Sequence, residues 1–308
     1  MLQIIIFSFN RAMQLNTLLN SMIRDIEAKD YTIDVLYNVS SDVFNQGYEK
    51  LKQDYQSYQH IHFIKETTVS KLLAIPEVFH ASCKKEYKYF LKTFLKKKKK
   101  TNFRKALLRL LTENQAANVM FLTDDACFIE KTTIGNDITE WINADPYSHQ
   151  FSLRTGKGMN EEPQGIQTVG NYLEWKYFNY EFFTLWGYLF SVDAHIYNKE
   201  AIVKALRHCY FDNPNSLESY VSVFAQKKKH FGTGRAFTKT RLLSFPINIV
   251  QHVADNKSLN ISVETLNDYY LKGYTLEYPL PDHITTFQVY PKRLTLNHPT
   301  KERVVLTT

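Results

Sequence analysis

A chain of 308 residues with 44% hydrophobic and 14% aromatic residues, and only 10 Gly and 9 Pro, can bury a large core, which excludes a disordered or linker-rich protein. Its net charge of +7 is concentrated in one place: twelve Lys or Arg against one Glu between Lys84 and Arg109 give a local +11 and leave −4 for the remainder. Cys83, Cys127 and Cys209 are far apart and lack CxxC spacing, so no disulfide framework or zinc site is expected and a reducing cytoplasm is the natural compartment.

In chain order, MLQIIIFSFNRA has no basic leader region and reads as a first core strand over 3–9 rather than a signal peptide. NRAMQLNTLLNSMIRDIEA then switches to helical spacing, with Leu15, Leu18, Leu19, Met22 and Ile26 on one stripe. A strand over 33–40, a helix carrying GYEKL and a strand over 60–66 follow, and residues 69–115 read as mostly helical before VMFL (119–122) returns to the sheet. No apolar run reaches the ~18 residues of a membrane span. The alternation predicts an α/β fold with a mostly parallel sheet and right-handed crossovers. The second half predicts an aromatic strand that ends just before Asp193 in WGYLFSVDAHIY (186–197), helices at AIVKALRHCYF and PNSLES, and a strand-like LLSFPINIVQHV (242–253).

Ligands of open parallel sheets bind beyond the carboxyl ends of the strands. Three strand ends carry suitable polar residues: Ser8, Asn10 and Arg11; Ser40, Ser41 and Asp42; Thr123, Asp124 and Asp125. Neither GxGxxG nor GxxxxGK[ST] is present, so dinucleotide and P-loop chemistry do not account for them. Asp124 and Asp125, in VMFLTDDACFIE, form a polar island between apolar runs. They are either a surface turn or a pair turned into a cleft where a hard divalent cation neutralises them and a diphosphate completes its shell.

The order of SFNR after a first strand, GYEKL, FLTDD, and then FSLR, WGY, DAHIY, NPNSLE and INIVQ resembles bacterial nucleotide-sugar-dependent glycosyltransferases of the GT-A fold, akin to family 2 enzymes, over about residues 1–255. The resemblance implies a GT-A-like, Rossmann-like central sheet flanked by helices. Residues 1–130 would form the nucleotide half, 131–255 a less regular acceptor half, and 256–308 an extension packed on the same domain. It implies Mn2+ or Mg2+ held by a DxD-type motif, here DDA, with Asp124 first, Asp125 in the middle and Ala126 where the last aspartate usually stands. It also implies a nucleotide-sugar donor, a UDP-sugar by expectation, and a saccharide or lipid-linked acceptor in cell-surface polysaccharide synthesis. Ser8, Asn10, Arg11, Ser40, Arg104, Asp124 and Arg154 are the candidate donor contacts, Asp125, Asp124 and His252 the candidate metal ligands, and Asp193 and Glu218 the candidate acid–base residues. Each has a structural alternative: Glu218 a helix-start carboxylate, Asp193 a turn residue, Arg154 a surface ion pair, Arg104 and His252 ordinary packing. His195 is either a sugar or metal contact or a core histidine, and Trp175 and Trp186 either stack on sugars or pack in the core.

The basic stretch 84–109 sets Tyr87, Phe90, Leu91, Phe94 and Leu95 near one helical face, which is either an ordinary core-facing helix with a solvated lysine face or one that suits an anionic membrane surface and would make the protein peripheral on the inner face of the membrane. Nucleic-acid binding is the rival use of that charge, but it calls for a basic face beyond this stretch, and no nucleic-acid partner is expected. A metal-dependent nuclease and a non-catalytic sugar- or nucleotide-binding module remain the other classes.

Overall fold

The computed structural model describes residues 1–28, 30–70, 86–91, 100–159, 162–182, 184–248, 259 and 261–307. In chain order, two-residue pairings aside, it contains β1 (Leu2–Phe9), α1 (Ala12–Asp25), β2 (Tyr31–Asn38), α2 (Asp42–Asp54) and β3 (Ile61–Lys65). Then come α3 (Phe103–Glu113), β4 (Asn118–Thr123), β5 (Ala126–Phe128), α4 (Asn136–Ala144), β6 (His149–Ser152), β7 (Gln167–Val169) and β8 (Tyr172–Lys176). The remainder is β9 (His195–Asn198), α5 (Lys199–Arg207), α6 (Pro214–Lys228), β10 (Thr233–Phe237), β11 (Leu242–Ser244), α7 (Val263–Leu271), β12 (Thr275–Glu277), β13 (Arg293–Asn297) and β14 (Val304–Thr307).

Nine strands form the central sheet in the order β7-β8-β10-β6-β9-β4-β1-β2-β3. Neighbours β3, β2, β1 and β4 are parallel, β9 runs against both β4 and β6, β10 is parallel to β6, and β8 opposes both β10 and β7. Seven strands thus point one way and two the other, a mostly parallel sheet with helices on both faces. β1 shows why the sequence chose this. Leu2, Ile4 and Ile6 enter the core under α1, while Ile5 and Phe7 enter the opposite core with Leu107 and Leu111 of α3. A strand apolar on both faces belongs only in the middle of a covered sheet.

The chain leaves β1 for β2 on one side and later returns to β4 on the other, so the carboxyl ends of β1 and β4 flank the switch point. Beyond β4 the expectations need adjustment. WGYLFSVDAHIY is a strand only at 195–198, because Trp186, Leu189 and Phe190 are buried as irregular chain in the core that also holds α6. Within LLSFPINIVQHV the strand covers 242–244, and 245–248 are irregular. The chain from α7 to β13 packs into the same core as α1, through Leu266, Tyr270, Leu276 and Leu294.

Candidate active site

The two aspartates occupy the turn between β4 and β5, and their side chains diverge. Asp124 is buried. Its Oδ2 accepts from Ser8 Oγ (2.8 Å) and the Phe9 N–H (3.2 Å), and its Oδ1 accepts from Arg11 (3.0 Å). The Ser8 proton is therefore committed, and Tyr48, 2.6 Å from Ser8 Oγ, donates to it while accepting the Arg11 N–H (3.2 Å). Tyr48 is held by stacking on Tyr37 at 4.3 Å. Asp125 keeps an open edge, its side chain 17% exposed, and accepts from Arg11 through Oδ2 (3.3 Å) and from Thr123 through Oδ1 (2.9 Å). Arg11 is fixed from behind by Asn248, whose Oδ1 accepts its Nε at 2.8 Å and whose carbonyl accepts a second N–H.

Thr123 extends the chain of contacts. Its hydroxyl stands 2.9 Å from Asp125 and 2.8 Å from Asp193. One hydroxyl has one proton, so the second contact needs either a carboxyl proton or a shared cation. Asp193 lies ahead of β9 and pairs with Arg154 at 3.1 Å, at the end of β6. The next residue, Ala194, sits in the left-handed region at φ 53°, locked by its N–H to Phe121 O (2.8 Å) and by Leu153 N–H to its own carbonyl (2.9 Å). Glu218 accepts the Val192 N–H (3.0 Å). It lies in the second turn of α6 and does not cap it, since Asn213 and Ser216 form the capping box.

Among the described residues of this edge, four carboxylates (Asp124, Asp125, Asp193, Glu218) thus meet two guanidiniums (Arg11, Arg154). The surplus registers in their acidity. Burial, with Asp125 beside it, pushes Asp124 up to about 6 against the pull of Arg11. Burial and then Asp193 push Glu218 up to about 7, and burial raises Asp193 despite Arg154. Among the described residues no group of three or more His, Cys, Asp or Glu forms a metal cage. A hard divalent ion needs less than that. It commonly takes one or two carboxylates with phosphate oxygens and water, and the open edges of Asp125 and Asp193, joined at Thr123, fit such an ion in both donor type and missing charge.

The other expected residues are placed as follows. Asn10 takes the left-handed φ of 59° and is clasped to Ser40 by Nδ2 to Oγ (2.8 Å) and by the Ser40 N–H to Oδ1 (2.9 Å), so both line the rim beside Arg11. Arg104 stands apart from the cluster and holds the carbonyls of Cys209 (3.1 Å) and Leu206 (3.2 Å) at the end of α5. His195 is buried, donates from Nδ1 to Asp193 O (2.9 Å), and burial lowers it to about 3, so it is a neutral core histidine. Trp175 and Trp186 are core residues that meet edge to face at 5.2 Å. His252, Phe94 and Leu95 lie outside the described residues. Ala126, in the last place of DDA, is fully buried in the apolar core. Tyr48, Asn248, Tyr278 and Phe287 join the site without having been expected; Tyr48 and Asn248 lie within GYEKL and INIVQ, but those pieces did not single them out, and no local pattern marks Tyr278 or Phe287.

No protein-family profile and no curated protein matches the chain. Among solved structures it is similar to TarS 1-349 of S. aureus, at 12% identity over 79% of this chain and 60% of that one, with a TM-score of 0.46. The same protein in complex with UDP matches at 13% identity over 78% and 59%, with a TM-score of 0.45. The mannosyltransferase PcManGT from Pyrobaculum calidifontis, in complex with GDP-Man and Mn2+, matches at 14% over 51% and 36%, with a TM-score of 0.29. The chain spans 60% of the length of the first of these. At such values the likenesses bear on neither activity nor ligand.

Proposed function

We propose that the protein is a GT-A-like glycosyltransferase that moves a sugar, a hexose by expectation, from a nucleoside diphosphate donor to a saccharide or lipid-linked acceptor. The observation that carries this reading is the strand-end cluster at the switch point, in which four carboxylates and two guanidiniums leave a deficit of positive charge. A diphosphate alone would be repelled there, whereas a divalent cation offsets the deficit of the cluster and lets a diphosphate approach it. Asp125 and Asp193 would hold Mg2+ or Mn2+, which when bound supplies Lewis-acid stabilisation of the leaving phosphate oxygens. Asp124, with all its near donors engaged, positions Arg11 and the β4–β5 turn. Arg154 and Thr123 orient Asp193. Glu218 takes the proton of the acceptor hydroxyl, since a carboxyl held near 7 is matched to that transfer at neutral pH. Ser8, Asn10 and Ser40 support the nucleoside side.

On the same reading residues 1–255 form the transferase unit and 256–308 its extension, and the protein works in the cytoplasm on polysaccharide precursors. Residues 84–109 would draw it to an anionic membrane. Tyr87 and Leu91, four apart and 50% and 39% exposed, favour this, and among the described residues no helix is long and apolar enough to cross a membrane. The test is a thermal-shift panel of nucleoside diphosphates with and without Mn2+, followed by release of nucleoside diphosphate from a panel of nucleotide sugars. Stabilisation of roughly 2.7 kcal/mol is expected at one hundred times Kd. No response to any nucleotide, with salt-dependent DNA binding instead, would replace the proposal with the nucleic-acid one.

A further inference from the structure

The C-terminal segment returns to the aspartates. Tyr278, just after β12, stacks on Phe245 with ring centroids 4.0 Å apart and planes 5° from parallel. The Phe245 N–H donates to Asp125 O (2.8 Å), which sets the Tyr278 ring beside the β4–β5 turn. Further along, Ser244 donates to Phe287 O (2.8 Å) and accepts from Val289 N–H (2.9 Å), so this stretch lies along β11. Phe287 then lies against the Arg154 guanidinium at 4.3 Å. Two walls of the cluster therefore come from residues beyond 275.

Two polar groups in this arrangement have no partner among the described residues. The Tyr278 hydroxyl is buried, 7% of the residue being exposed, and no described residue hydrogen-bonds it. Asn248, 6% exposed, accepts through its Oδ1 from Arg11 (2.8 Å) and Gln14 (3.3 Å), but its Nδ2 meets no acceptor among the described residues. A buried donor left unmade weakens a fold, so natural structures rarely keep one without a use. Both groups flank the same pair, Arg11 and Asp125: Asn248 through its bonds to the guanidinium, Tyr278 through its stack on Phe245, whose N–H donates to Asp125 O. An unpartnered amide N–H and a hydroxyl beside a guanidinium together suit an oxygen acceptor.

We infer that the Tyr278 hydroxyl, with the Asn248 amide, is a contact for a phosphate oxygen of the nucleoside diphosphate, which makes the C-terminal segment a wall of the donor site. This rests on the reading under Proposed function. The test is calorimetric titration of UDP, with Mg2+ present, into the full chain and into Tyr278→Phe, with uridine as a second titrant. Phenylalanine keeps the stack on Phe245 and removes only the hydroxyl, so the unliganded variant is expected to melt no lower than the parent. UDP should bind about tenfold more weakly, the size of one lost hydrogen bond to a charged group, and uridine should bind both forms equally. Unchanged UDP affinity in the variant overturns this inference alone, and an equal loss for uridine overturns the assignment to phosphate. If the parent chain binds no nucleoside diphosphate, the reading of the site falls with it, a result distinguishable because it does not involve the variant.

Discussion

Arg11 is the hinge of the electrostatic argument, and Arg11→Met tests it directly. The guanidinium is about nine-tenths buried, lies 3.0 Å from Asp124 and 3.3 Å from Asp125, and is anchored on Asn248. Methionine fills similar space but leaves Asp124, whose side chain is 4% exposed, beside Asp125 without its cation. Removing one partner of a buried pair costs about 3–5 kcal/mol, because the remaining charge keeps its desolvation penalty. Asp124→Asn alone should cost about 2 kcal/mol, since Ser8 and the Phe9 N–H still find an oxygen while Arg11 keeps Asp125. The double variant should lose less than the sum of the singles by at least about 1 kcal/mol, because each single change exposes the penalty that the other removes. Urea unfolding of the metal-free chain measures all three, with an unchanged slope verifying that the unfolded state is comparable. A loss below about 1 kcal/mol for Arg11→Met, or strict additivity, would refute the claim that this guanidinium neutralises the pair.

Glu218→Gln should lower turnover by about 10²–10⁴ while leaving UDP affinity within twofold, and should abolish the rise of rate through pH 7; a variant with parental rates removes Glu218 from the chemistry. The ligand-free protein should be more stable near pH 5 than near pH 8. Asp124 and Glu218 hold their protons more tightly folded than unfolded, so their contribution is full below the ordinary 3.8 and 4.5 and is lost as pH rises through about 6 and 7. Melting curves of the parent against Glu218→Gln isolate the second part, and an opposite slope would contradict the charge surplus. Ala126→Asp, which completes a formal DxD, should destabilise by more than about 3 kcal/mol and gain no metal affinity, because its side chain enters the core; isothermal titration with Mn2+ would expose the contrary. Gly47→Ala should cost about 1–3 kcal/mol in thermal unfolding, since a Cβ there runs into Asn267 of α7 and Ala12 of α1.

The half of the site that follows strand ends was legible because the pattern there is local. Ile4 to Phe7 alternate between two cores and then stop at polar residues, so Ser8, Asn10 and Arg11 fall at a carboxyl edge by counting alone, and the same count places Thr123 to Asp125. Glu218 was legible as a residue of the helix that PNSLES begins, one turn further in than expected, whereas Asp193 was recognisable as a residue but not by its element. The apolar run 186–192 reads as strand because short buried runs carry no period, whereas its side chains pack around α6 as irregular chain. What stayed hidden are the contacts made across long stretches of sequence. Arg11 to Asp124, Arg11 to Asn248 and Phe287 to Arg154 join positions more than one hundred residues apart, and no spacing rule anticipates which arginine meets which carboxylate. Arg104 shows the converse: a basic side chain near the right strand is spent on two carbonyls at the end of α5.

The division of labour between the adjacent aspartates follows from the turn that carries them. β4 ends at Thr123 and β5 begins at Ala126, so two residues reverse the chain and their side chains leave it in different directions. Asp124 points back under β1, where a hydroxyl, a backbone N–H and a guanidinium saturate it, and a carboxylate so engaged has no open edge left to offer an ion. Asp125 meets Asp193 across Thr123, where two partly exposed carboxylates contact one hydroxyl that has a proton for only one of them. On the proposed function, the inner aspartate would set the geometry and the outer one would meet the ligand. A change at Asp124 should appear first in stability and a change at Asp125 first in cation-dependent nucleotide affinity. On the proposed function the missing third carboxylate of the motif is no loss, because position 126 is buried in the core and Asp193, ahead of the neighbouring strand β9, would offer a carboxylate beside Thr123 instead.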